Sequence, residues 1–474
     1  MRPALARLLL ALLASGAVPA GAGEPLSVEQ KLADLHHLAS TIQSRHPSPY
    51  EWKSKEEWRA RLEELSQGLE PLDAAGFFFR LQAVAALADD IHTSVFPLAE
   101  QGLLTETYPI RLRRLAEGLV IRAAKPDHGD LVGARIESFG GVPVEAVMAR
   151  VSALVPGNAR LACSNVPLAY LLCPETYGLL GIEVGAEGLP IEILDREGKQ
   201  RRVHLAPEPV SLMAAYEAGT VVGWRTPPGW VSLFDAFAVG APKTLALRGE
   251  MAWFEPLADG KVLLVQVNSP APDPENRVLG FAAELYRHLI DHAYQRVIVD
   301  LRGNEGGWYV LTNALAGILA SIPSLGEPGR VVVLIGPETT SAGVALATQL
   351  ELATEAFFVG GPTGSSPNVY GTYRPEQLPH SKIYFRVSSR RLVLSPPEDD
   401  RRALFPDLPV PERLEDLRRG RDAALEAALA LDPASLPPLA PWYERWRRES
   451  QLASAAAATS SRKPDRRPPP GAPR

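Results

Sequence analysis

The run Val297-Ile298-Val299-Asp300-Leu301-Arg302-Gly303-Asn304-Glu305-Gly306-Gly307 passes from a short, wholly apolar stretch into a charged, glycine-rich turn. Three β-branched residues bounded by a turn signal predict a buried strand. Downstream the pattern repeats, with a helix from Trp308 to about Ser321, a strand from Val331 to Ile335, and the loop Gly336-Pro337-Glu338-Thr339-Thr340. A helix beginning at Ser341-Ala342-Gly343 comes next, then a strand from Ala356 to Val359 that ends in Gly360-Gly361-Pro362-Thr363-Gly364. Upstream, a helix from about Glu275 to His292 precedes the quoted run, and Asp259-Gly260 turns a hairpin into a strand from Val262 to Val267. Strands alternating with helices from residue 236 to about 432 predict an α/β core, a sheet covered by helices.

Ahead of this core, Ser27-x-x-Gln30 and Ser54-x-x-Glu57 read as capping boxes opening helices, which Pro47 and Pro71 should end. A third helix, opened by Asp73, carries Phe77, Phe78, Leu81, Val84 and Leu87 and runs into Asp89-Asp90-Ile91-His92-Thr93. Residues 23–97 thus form an N-terminal helical region. Residues 98–235 read as a mixed, β-rich insert, and its Gly140-Gly141 turn before Val142-Pro143-Val144 resembles part of a PDZ-type module.

The ends differ from the body. Arg2 and Arg7, the apolar run from Leu8 to Ala14 and the small residues Ala20-Gly21-Ala22 predict a signal peptide over 1–22, hence a periplasmic or secreted protein. From Ala453 onward Ala, Ser, Pro and Arg predict a disordered tail within the C-terminal segment 433–474. No later stretch is long and apolar enough for an integral membrane span. Cys163 and Cys173 are the only two cysteines, and they read either as a disulfide or as two buried thiols.

With 46% hydrophobic residues in 474, the chain can bury a sizeable core and divides into two or three domains. A net charge of −6 argues against nucleic acid as a partner. The 44 prolines favour fixed turns over long helices.

Ser341 stands where an apolar strand has ended and a helix begins. A hydroxyl there is exposed beside free backbone N–H groups and the positive end of the helix dipole, where a nucleophile and an oxyanion are both served. Serines at such positions also act simply as helix caps. Gly306-Gly307 ends the preceding strand, and neighbouring strands in such a sheet bring their C-terminal loops together. A Gly306 or Gly307 N–H paired with the Ala342 N–H would make a two-donor oxyanion hole; otherwise the glycines only turn the chain.

At these motifs the sequence resembles the serine peptidases that comprise tail-specific (C-terminal processing) proteases, the tricorn core protease and the interphotoreceptor retinoid-binding protein. The likeness covers the N-terminal helices through Asp90-Ile91-His92-Thr93 and about residues 260–410. It rests on Asp300 to Gly307, Thr339-Thr340-Ser341-Ala342-Gly343, Val359 to Gly364 and Leu378-Pro379-His380-Ser381. The resemblance implies a crotonase-like (ClpP/crotonase) α/β catalytic core and a peptidase acting on peptide or protein substrates. It assigns Ser341 as nucleophile, with Ala342 and Gly306 or Gly307 as oxyanion donors, and implies no metal and no organic cofactor.

One departure reshapes the chemistry. Tail-specific proteases deprotonate the serine with a lysine about 25 residues downstream, a place held here by Ser366, whose neutral hydroxyl cannot act as a base near pH 7. The tricorn-like branch uses a histidine instead, and His92 is the matching position. Imidazole can take the Ser341 proton and return it to a leaving amine. Asp90, or one of Glu398, Asp399 and Asp400, would orient the ring. The competing readings are a structural His92 and an Asp90 that merely closes the third helix. His380 reads as structural. His288 and His292, at i and i+4, have zinc-ligand spacing but lack the Glu of a His-Glu-x-x-His motif, so they read as surface histidines. Loss of the lysine also leaves a second reading, a non-catalytic ligand- or peptide-binding protein on the same fold. Oligomeric state is not legible.

Overall fold

The computed structural model describes residues 25–96, 102–156, 166–221, 223–268, 277–307 and 310–432; the expected leader over 1–22, Cys163, Trp308 and the C-terminal segment 433–474 lie outside these. The expected α/β core is a six-stranded sheet. Its spatial order is Leu408–Pro409, Phe357–Gly360, Val331–Ile335, Arg296–Asp300, Val262–Val267 and Ala252–Leu257. Every neighbouring pair is parallel except the last, which closes as the hairpin expected at Asp259-Gly260.

Side-chain alternation decides which face each residue serves. Val297, Val299, Val331, Val333 and Ile335 bury one face beneath Leu285, Leu315, Leu346 and Leu350 of the helices Arg277–Asp291, Val310–Ser321 and Ala342–Ala353. Ile298, Val332 and Leu334 point the other way, onto Ala424 and Ala428 of the helix Ala423–Ala430. Fully burying each such aliphatic side chain contributes roughly 1.5–3 kcal/mol, so the two-faced run at 297–299 anchors both layers. Because the central strands are parallel, the loops 301–307, 336–341 and 361–366 all leave the same edge of the sheet.

Both capping boxes form, at Ser27 and Ser54, and open the helices Val28–Arg45 and Lys55–Leu65; the side chain of Asp73 caps Ala74–Ala85. The second helix ends at Leu65 with Ser66 as its C-cap, short of Pro71, and the chain turns away at Gly68, φ 62°. The insert carries the antiparallel path Ile110–Leu115, Gly118–Ala124, Arg135–Phe139, Leu189–Leu194 and Gln200–Leu205. Its core is continuous with that of the N-terminal helices: Phe77, Phe79, Tyr108, Phe139 and Tyr177 belong to one buried cluster, so the division expected near residue 97 does not separate two cores. Cys173 is buried, and burial pushes its thiol well up. Among the described residues no helix is long and apolar enough to cross a membrane.

Candidate active site

Ser341 precedes the helix Ala342–Ala353 at φ 50°, ψ −115°, a backbone conformation that non-glycine residues adopt only under constraint. The constraint comes from the neighbouring loop. Thr340 donates its N–H to Asn304 O at 3.0 Å and its hydroxyl to Glu305 O at 2.9 Å, and Thr339 Oγ1 donates to Leu301 O at 2.9 Å. Gly343 completes the fit, since a Cβ there would stand 2.4 Å from Asn304 O. The Ser341 side chain makes no capping bond to its helix, so its hydroxyl is not used as a cap.

That hydroxyl meets an imidazole. His92 Nε2 lies 3.2 Å from Ser341 Oγ across 249 positions of sequence. The strand Ser94–Phe96 pairs antiparallel with Tyr384–Arg386, which fastens the His92 loop to the C-terminal part of the core. The ring also stacks on Tyr373, at 6.0 Å between centroids and 25° between planes. On its far side, Nδ1 points at Asp90 Oδ1, 3.7 Å away, and among the described residues no other acceptor serves that nitrogen.

Asp90 is buried and held by its own turn, accepting the His92 N–H at 3.0 Å and the Thr93 hydroxyl at 2.7 Å. Burial alone would raise its carboxyl. Against that, His46 and His92 on its two oxygens, with a further contribution from Ser388, hold it well below the usual carboxylate range. His46 escaped the sequence reading. Its only sequence signal is a histidine at the end of the first helix, just before Pro47.

The glycines separate into two roles. Gly306, at φ 116°, donates its N–H to Asn304 Oδ1 at 3.1 Å, so it is not available as the oxyanion donor the sequence allowed. What Gly306 provides is proximity: a Cβ there would stand 2.7 Å from Ser341 Cβ and 3.1 Å from its Oγ. Among the described residues the N–H groups of Gly307 and Ala342 have no acceptor, which leaves these two free to donate.

Of the acidic candidates further along, Glu398 and Asp399 are directed elsewhere. Glu398 is exposed. Asp399 borders the small cavity onto which His92 opens, but its carboxylate is taken by Arg401, at 2.8 Å, and by the Ser395 hydroxyl. Arg401 is in turn held by Glu351 at 2.7 Å, so Asp399 belongs to a buried clamp of the core. Asp400 lines the same cavity. In the place of the missing lysine, Ser366 donates to Asn368 O at 2.7 Å, while Ser365 Oγ accepts the Ser341 N–H at 3.2 Å.

His380 belongs to a turn whose N–H groups at 380 and 381 are both accepted by the buried Asp34, at 2.9 and 2.7 Å. His288 and His292 stack on each other at 4.3 Å, and His288 Nε2 is 2.6 Å from the Tyr294 hydroxyl. Among the described residues no cluster of His, Cys, Asp and Glu could hold a metal ion.

Taken together, the parallel sheet, the loops at its C-terminal edge and the helices that deliver His92 define a mixed α/β fold found in solved structures. Mature CPAF aligns over 85% of this chain and 96% of its own, at a TM-score of 0.58 and 16% identity. Mature CPAF complexed with lactacystin aligns over 85% and 97%, at a TM-score of 0.56 and 15% identity. The photosystem II D1 C-terminal processing protease covers 83% of this chain and 98% of its own, at a TM-score of 0.39 and 14% identity. The two CPAF likenesses are of fold alone. No family model matches the chain, and neither does any curated protein.

Proposed function

We propose that this protein is an exported serine endopeptidase that hydrolyses peptide bonds through an acyl-Ser341 intermediate, with His92 as general base. The observation that carries the reading is the 3.2 Å approach of His92 Nε2 to Ser341 Oγ, hydrogen-bond range for proton transfer. In this reading the Ser341 hydroxyl gives its proton to Nε2 as Oγ attacks the scissile carbonyl. The Asp90 carboxylate faces Nδ1–H and stabilises the imidazolium that forms. The N–H groups of Ala342 and Gly307 receive the oxyanion, and His92 returns the proton to the departing amine. Water then enters by the same base and releases the acyl group.

The six-stranded sheet supports a crotonase-like core, and the antiparallel insert supports a PDZ-like module. The leader over 1–22 is the basis for placing the protein in the periplasm or outside the cell. Peptide or protein chains are the substrate class. The test is cleavage of a fluorogenic peptide mixture by the leader-free protein. Ser341→Ala and His92→Ala should each abolish turnover while the variants remain folded; turnover at the wild-type rate in folded Ser341→Ala would overturn the proposal.

A further inference from the structure

We propose that His46 is a positioning residue of this site, holding the Asp90 carboxylate from the side opposite His92. The inference rests on the reading of Ser341, His92 and Asp90 given above. His46 Nε2 is 3.6 Å from Asp90 Oδ2, and His92 Nδ1 is 3.7 Å from Asp90 Oδ1, with both ring nitrogens buried and, among the described residues, neither engaged by another partner. One carboxylate therefore faces two imidazoles. Each of its oxygens also has one short donor, the His92 N–H on Oδ1 and the Thr93 hydroxyl on Oδ2.

The orientation of His46 is fixed by its surroundings. Its backbone N–H closes the helix Val28–Arg45 onto Ile42 O at 3.0 Å, and its ring lies 4.4 Å from that of Tyr370. The Ser48 N–H donates to His46 Nδ1 at 3.2 Å. A nitrogen that accepts cannot carry the proton of a neutral ring, so the proton sits on Nε2, directed at Asp90. Both distances are just beyond a formed hydrogen bond, as is common in sites that tighten around substrate.

Asp90 must stay anionic while buried if it is to stabilise a protonated His92, and a second N–H donor on its other oxygen serves that need. The remaining charges on this side are engaged elsewhere or sit at the cavity edge. Asp89 pairs with Arg402 at 2.8 Å, Asp399 with Arg401 at 2.8 Å and Glu51 with Arg391 at 3.8 Å, while Asp400 lines the cavity.

The experiment compares the full chain with His46→Leu and His46→Gln, the second of which keeps an N–H donor. Carboxyl carbon NMR of aspartate-labelled protein follows the titration of Asp90. The Asp90 midpoint should lie well below that of a free aspartate in wild type, rise by about one pH unit or more in His46→Leu, and return toward wild type in His46→Gln. In the same samples kcat should fall about tenfold in His46→Leu with KM unchanged, and stay within about threefold of wild type in His46→Gln. Equal Asp90 midpoints in wild type and His46→Leu would overturn the inference, as would equal losses of kcat in both variants. If His46→Leu does not fold, nitrogen NMR of wild-type His46 decides: the proton on Nε2 supports the inference, and the proton on Nδ1 overturns it. A shifted Asp90 titration in a protein that cleaves no peptide would leave the His46–Asp90 coupling standing and remove the peptidase reading alone.

Discussion

Arg248 Nη1 lies 3.0 Å from Glu338 Oε2, and Arg113 takes the other oxygen of that carboxylate. Two guanidiniums, one of them from the insert, thus grip a buried glutamate three residues before Ser341. Arg113 also reaches Glu412 at 2.8 Å, so the strand Ile110–Leu115 is tied by charge to two parts of the core. Arg113→Met leaves the buried Glu338 to Arg248 alone and takes a partner from Glu412, whereas removing Glu338 as well takes away the buried negative charge that Arg113 helped to compensate. Arg113→Met should therefore destabilise by about 3 kcal/mol, and Arg113→Met combined with Glu338→Met should recover part of that loss. Urea denaturation of the two singles and the double checks this; a double variant as unstable as the sum of the singles would contradict it.

Gly306 tests the packing around the nucleophile. Alanine there must be accommodated at φ 116° with its Cβ 2.7 Å from Ser341 Cβ. Either the serine or the glycine loop has to move, and displacements near 1 Å cost on the order of a hundredfold in rate. Gly306→Ala should lose about that much kcat while its circular dichroism spectrum stays native; unchanged kcat would show that the close approach is unimportant to turnover.

The motif Asp300-Leu301-Arg302 yields a pH prediction. Arg302 is bonded at 2.7 Å to both Asp300 and Asp422, which fixes the strand end that leads to the glycine loop. Burial would raise the Asp422 carboxyl, but Arg302, with help from Thr244, holds it below the usual range. A depressed carboxylate contributes stability that is present above the unfolded-state value of about 3.9 and is lost as pH falls through the folded-state value. Asp422→Asn should thus be less stable than wild type at pH 7, with a gap that narrows steadily below about pH 4. Thermal melts from pH 7 down to pH 3 measure it, and a constant gap across that range would contradict the assignment.

Much of the fold was legible because its signals are local. Two-faced apolar runs such as Val297 to Val299, glycine turns and capping boxes each act within a few residues, and the sheet and first helices follow from them. Ser341 was legible for the same reason, as a hydroxyl between strand and helix. The loss of Gly306 as a donor was in principle readable, since an asparagine two residues earlier often accepts such an N–H through its side chain. The fate of Asp399 was hidden by its own neighbourhood, because which of several adjacent acids meets a given arginine depends on the buried Glu351, 50 positions away. His46 carries no signal beyond its place at the end of the first helix: its nearness to Asp90 is created by packing that helix against the turn after the third.

The central claim is that Ser341 is activated by His92, and the most direct measurement is the rate and site of reaction with a fluorophosphonate probe, located by mass spectrometry. The account predicts a single phosphonylated residue, Ser341, in the folded leader-free protein, with labelling slowed at least a hundredfold in His92→Ala. Absence of label at Ser341, or equal labelling rates with and without the imidazole, would contradict it.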